Sequence, residues 1–220
     1  MNTFIYFLLG LAYICILIWG IRLSKYDGLF NLSNVLLIVI LGLVYDNFII
    51  ALGEFIGEGS FLENLSIPRY WLHALFTPTL ILFAWNVCYC LGVSWAKRIF
   101  WKVLAYLISI GLIFYELVTS LLKLGLQPKW EYGILTYEAV QSQHPIMVIL
   151  ITIVLALVGF ILLKNFHFSW LLLGTLFMII GSFLSGWLTG VPVMNTLEFI
   201  LIFALINTRQ FQVQNQFTNQ

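Results

Sequence analysis

The sequence predicts an all-α, polytopic membrane protein of about seven transmembrane helices, with the N-terminus outside and the C-terminus cytoplasmic. Three observations carry that expectation. Hydrophobic residues make up 62% of the 220 residues and charged ones only 9%, against roughly 25% charged in soluble domains. Mean hydropathy is +1.02. Apolar windows of about 20 residues, the length that crosses a bilayer as a helix, recur at 3–23, 33–53, 68–91, 98–122, 145–163, 168–189 and 191–207. They form a single seven-helix domain over 1–207, followed by a polar, Gln- and Asn-rich tail over 208–220 that is expected to be a loosely ordered cytoplasmic end.

In the first window no Lys or Arg precedes the apolar run, and Arg22 and Lys25 follow it. That order is wrong for a cleaved signal peptide, so a retained helix is expected. Orientation follows from the basic residues. With the N-terminus outside, Arg22, Lys25, Lys97, Arg98, Lys102, Lys164 and Arg209 fall inside, against Arg69, Lys123 and Lys129 outside. Tryptophans mark the same interfaces: Trp19, Trp95, Trp101 and Trp170 inner, Trp71, Trp130 and Trp187 outer, with Trp85 deep. Cys15, Cys88 and Cys90 show no zinc-ligand spacing and read as packed thiols. The net charge of +1 gives no reason to expect nucleic acid as a partner. Short loops without further targeting signals fit a multi-pass protein of the cell membrane, in particular a bacterial inner membrane. No internal repeat supports an inverted-repeat transporter.

Candidate functional residues gather around 43–78. Ionisable groups inside a bilayer cost about 2.5–3.5 kcal/mol each on insertion scales, so those found there point to function. Asp46 lies seven residues before the outer end of helix 2, and His73 five residues into helix 3. Glu116 lies six before the outer end of helix 4, and Glu198 seven into helix 7. At 1.5 Å per residue all four sit roughly 8–10 Å below the outer boundary, which predicts one shared pocket. They are the candidate catalytic residues and the candidate ligands of a divalent metal. Arg69, His73 and Thr77 share one helical face, ahead of a Pro78 that frees the Ala74 carbonyl. Asn195 lies one turn from Glu198, and Asn47 adjoins Asp46. Asn47, Arg69, Thr77 and Asn195 are the candidate substrate-binding residues.

Each has a structural alternative. Arg69 with Asp46 makes a plain ion pair, His73 alone a hydrogen-bonded core histidine, and a lone buried glutamate a protonated partner of a neighbouring helix. Glu54, Glu58 and Glu63 read as a solvated outer loop over 54–68. Gly53, Gly57 and Gly59 read as a bend or close packing, because glutamates between them repel phosphate. Ser109, Glu116, Thr119, Ser120 and Lys123 share a side of helix 4, and Ser182, Ser185, Gly186 and Thr189 form a small-residue stripe on helix 6. Helix 5, apolar except for Thr152, is expected to face lipid.

These residues suit a membrane-embedded enzyme, a hydrolase or other lipid-modifying enzyme, acting on a membrane lipid or another apolar or amphipathic small molecule. The alternatives are a proton- or cation-coupled carrier and a non-catalytic assembly or scaffold protein. The carrier is disfavoured by inner helix halves whose polar residues are little more than Asn86 and the cysteines. A retinal photoreceptor is disfavoured because every lysine falls at a loop or helix end. Seven spans with Asp and His near one face resemble the ceramidase-like membrane hydrolases in architecture alone. The paired histidine that those enzymes carry on a late helix has no counterpart in helices 6 and 7, and no family is assigned.

Overall fold

The computed structural model describes residues 2–28, 31–131, 133–140, 146–184 and 192–218. It is 82% helical, with α1 (Asn2–Asp27), α2 (Val35–Ile56), α3 (Ser60–Phe76), α4 (Leu80–Cys90), α5 (Ile99–Glu116), α6 (Ile146–Phe166), α7 (Trp170–Leu184) and α8 (Val193–Thr218). Among the described residues five helical segments are long and apolar enough to cross a membrane: Asn2–Tyr26, Leu32–Ile56, Ser60–Cys90, Ile99–Leu121 and Ile146–Phe166. α7 is shorter, and four residues of the stripe expected on helix 6 fare differently: Ser182 bonds the Met178 carbonyl, while Ser185, Gly186 and Thr189 lie outside the described residues, as does Trp187. Leu, Ile and Phe side chains stand exposed along α1, α5, α6 and α7. An apolar bundle with so much hydrocarbon on its outside is compatible with an integral membrane protein, where lipid covers that surface.

The bundle is built around α4, whose residues from Leu80 to Cys88 are all buried. A short 3-10 turn, Thr77–Thr79, separates it from α3. Pro78 explains the break, since it lacks the N–H that would continue the ladder. Its carbonyl accepts from Ser109 Oγ of α5 at 3.1 Å, so the irregular backbone is satisfied inside protein, as membrane depth requires.

An antiparallel hairpin, β1 (Leu126–Glu131) and β2 (Ile134–Ala139), caps one end. This stretch falls between the apolar windows at 98–122 and 145–163, and the hairpin makes the chain not purely α as expected. Part of the signal was present: Gly133, at φ 78°, precedes a short run holding Ile134, Thr136 and Tyr137, whereas the facing run carries Trp130 and a proline, Pro128, that argues against a strand. Leu135 and Tyr137 pack on Ile49 and Leu62. Ile134 packs on Tyr6, Ile50 and Ala51. The Tyr137 hydroxyl donates to the Gly59 carbonyl and accepts from its N–H, at 3.2 and 3.1 Å. On the hairpin face that also carries Thr136, Lys129 bridges Glu138 and Glu131 at 2.8 and 3.1 Å. Its hydrogen bond to Glu138 raises the ammonium above the ordinary lysine range. A raised lysine contributes at every pH below its ordinary value and is lost only as pH climbs through the raised one, so this clamp holds across the neutral range.

α2 meets the hairpin at Gly53, where any Cβ would run into the Leu135 carbonyl. Gly53→Ala therefore displaces the hairpin: a loss of about 1–3 kcal/mol in denaturation is expected, with earlier proteolysis at the hairpin. Gly57, at φ 81°, then turns the chain. α3 restarts at Ser60 with Glu63 in its first turn, where a negative charge favours a helix N-terminus. The expected loop over 54–68 is thus confined to Gly57–Gly59.

Two more expectations change. The segment read as a loosely ordered tail is helical through Thr218, with Thr208, Arg209, Gln212 and Val213 buried. α6, expected to face lipid, carries exposed apolar residues such as Ile149, Ile153, Leu157 and Phe160, though its apolar window is 39% buried against 22% for α5, because α6 packs against α4 and α7. Finally, the end opposite the hairpin is not apolar. Arg209, fully buried, donates to the Ser33 carbonyl and Ser24 Oγ at 2.9 and 3.2 Å. Ser33 Oγ donates to Gln212, and Asn86 donates to Ser33 and Asn31. Trp85, expected deep, reaches the Ala96 carbonyl in the α4–α5 loop at that same end.

Candidate active site

The site grows from the α2–α3 pair. Arg69 Nε donates to Asp46 Oδ1 at 2.6 Å, with the side chains 13% and 22% exposed. Arg69 Nη1 donates to Thr136 Oγ1 of the hairpin at 3.0 Å, and its guanidinium lies 5.9 Å from the centre of the Tyr70 ring. Nη2 makes no hydrogen bond among the described residues. The ion pair is therefore a structural clamp on three elements as well as part of a cavity wall. Arg69→Met, which strands Asp46, and Asp46→Asn are each expected to cost about 2–3 kcal/mol. The double variant should cost clearly less than their sum in a double-mutant cycle. Additive losses would show that the contact carries no coupling.

One turn along α3, His73 Nδ1 lies 3.2 Å from Thr77 Oγ1. Asp46 and Glu116 are both close enough to act electrostatically on the His73 charge, and Asp46 on that of Glu198. Glu116 closes α5 where the helix loosens into a π-helical turn, Leu117–Leu121. That turn supplies Ser120, whose hydroxyl donates to Glu116 Oε2 at 2.9 Å. Single π turns recur at functional sites because they redirect side chains without ending the helix. Glu198, on α8, receives no hydrogen bond from the described residues.

Three cavities meet here. A central chamber of about 210 Å³ is lined by Asp46, Arg69, Tyr70, His73, Thr77, Glu116, Ser120 and Glu198, among others. A vestibule of about 380 Å³ under the hairpin shares Asp46, Arg69 and Tyr70 with it and adds Tyr6, Glu131, Thr136, Glu138 and Asn195. An arm of about 260 Å³ shares Val39, His73, Thr77 and Glu198 and runs on between apolar residues of α4, α6, α7 and α8, including Leu80, Ile151, Met178, Leu201 and Ile202. Polar at the hairpin and apolar in the bundle, the run has the polarity of an amphipathic molecule.

All four residues of the shared-depth set therefore line one chamber, together with Arg69 and Thr77. Asn195 lines the vestibule and the arm. Asn47 is a correction: it is fully buried, lines none of these cavities, and donates to the Leu43 carbonyl at 2.9 Å, with Oδ1 unpartnered. One residue's step on a helix turns a side chain by about 100°, which carries Asn47 away from the face of Asp46. Thr119 is exposed and bonds its own Tyr115 carbonyl, and Lys123 is exposed. The metal expectation is also corrected. Among the described residues no three His, Cys, Asp or Glu side chains are grouped to hold a metal ion. Asp46 is taken by Arg69, and Glu116 by Ser120. Tyr6, Tyr70 and the hairpin residues were missed. Tyr70 was legible, adjacent to Arg69, but Thr136 and Glu138 enter only because the hairpin folds back.

Comparison with protein-family models, with curated proteins and with solved structures gives no match.

Proposed function

We propose that this protein is a multi-pass enzyme of the cell membrane that hydrolyses an ester or amide bond of an amphipathic lipid. Its helices cross the bilayer seven times, hairpin end outside and C-terminus inside, as the basic residues of the opposite end favour. The carrying observation is the continuity of an acid–base chamber with an apolar arm through His73, Thr77 and Glu198. The lipid chain occupies the arm and the scissile carbonyl the chamber. His73 takes a proton from water as the water oxygen attacks the carbonyl carbon. The imidazolium formed lies within the fields of Asp46 and Glu116, which stabilise it as charge develops. Protonated Glu198 donates to the carbonyl oxygen. Collapse of the tetrahedral intermediate returns the carbonyl oxygen's proton to Glu198 and expels the alcohol or amine, which takes the proton from His73, leaving a carboxylic acid.

The test is incubation of the purified protein, in nanodiscs of defined lipids, with mass spectrometry of the products. Release of a fatty acid by wild-type protein and not by His73→Ala supports the proposal. Lipids that stay intact under folded wild-type protein refute it.

A proton- or cation-coupled carrier is the alternative, favoured by the second polar layer of Ser24, Ser33, Asn86, Arg209 and Gln212 at the opposite end. Against it, fully buried Leu36, Ile40, Phe83 and Leu205 fall between the two layers along α2, α4 and α8. They form a dry plug. Ion flux into liposomes that depends on Glu198 would favour the carrier.

A further inference from the structure

Each stretch of the cavity run has its own chemistry. In the vestibule, Glu131 and Glu138 of the hairpin stand with the rings of Tyr6 and Tyr70. Strand register pairs Lys129 with Thr136 and Glu131 with Ile134, so Glu131, Lys129 and Glu138 share one face of the hairpin. Lys129 bridges both carboxylates but does not line the vestibule. Two carboxylates against one ammonium leave this face one negative charge, while Asp46 and Arg69 balance each other. The vestibule thus favours a cation, and aromatic faces add to the attraction for an ammonium group. Arg69 lines both vestibule and chamber, and its Nη2 makes no hydrogen bond among the described residues. A guanidinium N–H in that state suits a phosphate oxygen. His73 lies one turn deeper along α3, roughly 6 Å, and the apolar arm follows.

Resting on the hydrolase proposal, and narrowing its substrate, we propose that the lipid is a zwitterionic aminophospholipid whose ammonium sits between Glu131, Glu138 and the tyrosines and whose phosphate meets Arg69. The acyl chain then fills the arm, and the glycerol ester, a few bonds beyond the phosphate, reaches His73. A lipid with the same phosphate and chains but no ammonium discriminates, because only the vestibule contact is lost.

The probe is a nanodisc containing equal phosphatidylethanolamine and phosphatidylglycerol. His73→Ala protein serves for retention, so that bound lipid stays intact, and retained lipid is identified by native mass spectrometry. Phosphatidylethanolamine should be retained over phosphatidylglycerol by about tenfold, the ratio one good ammonium–carboxylate contact supplies. Glu131→Gln with Glu138→Gln should bring the ratio towards one without lowering total bound lipid. Lys129→Met, which removes the competing ammonium, should raise it. No preference, a preference for phosphatidylglycerol, or a preference that both hairpin variants leave intact would overturn the inference. The two proposals fail separately. Equal cleavage of both lipids by wild-type protein overturns this one and leaves the hydrolase standing. Selective retention by His73→Ala with no cleavage by wild-type does the reverse.

Discussion

On the proposed hydrolase mechanism, His73→Ala is expected to lower lipid turnover at least about a hundredfold, the usual contribution of a positioned acid–base group, and to leave the fold nearly untouched. The two halves of that expectation have separate causes. His73 lines both the chamber and the arm and lies between the fields of two carboxylates, so its loss removes the imidazole that both cavities share. Among the described residues its hydrogen bond is to Thr77, one turn on at the end of α3, and its truncation enlarges an existing cavity rather than opening a new one. Thermal unfolding in detergent should therefore move little. Glu198→Gln provides the matching test on α8. It preserves shape and can still donate a hydrogen bond, but it cannot exchange a proton, so a smaller loss is expected. A thermal midpoint that falls as far as activity does would mark His73 as a packing residue.

The largest effect on stability is expected at the other end of the bundle. Arg209→Ala should cost about 3 kcal/mol or more, enough to lower the yield of folded protein sharply. Arg209 is among the largest fully buried side chains of the described residues, and it ties α8 to the α1–α2 connection through the Ser33 carbonyl and to α1 through Ser24. Removal strands those acceptors and leaves a void. Arg209→Lys should recover only part of the loss, because a compact ammonium cannot reach both acceptors as a guanidinium fork does. The check is chemical denaturation of wild-type and variants in one detergent. Equal midpoints for Arg209→Ala and wild-type would show that the network contributes nothing.

Composition and apolar windows were enough to anticipate a mostly helical bundle compatible with a membrane, but the single window at 68–91 holds two helices broken at Thr77–Thr79, and α3 begins inside the stretch expected to be loop. Depth along the helices was enough to collect Asp46, His73, Glu116 and Glu198 around one chamber. What failed were features decided by tertiary neighbours. Arg209, read as an interfacial charge, is buried because α8 continues past the polar composition that suggested a tail. Asn47 shares the depth of Asp46 but not its face, and depth alone cannot tell the two apart. The hairpin depends on α2 and α3 offering Gly53 and Gly59 for it to dock on, and with it came Thr136, Glu131 and Glu138. The metal expectation rested on residue types; in the folded chain two of those carboxylates already have partners.

The most direct measurement of the central claim is hydrolysis in ¹⁸O-labelled water by the purified protein in lipid nanodiscs. Attack of water at the ester carbonyl predicts one ¹⁸O in the released fatty acid, none in the alcohol product, and no release from His73→Ala. Release of no labelled acid by folded wild-type protein, across neutral, anionic and zwitterionic lipids, would contradict it.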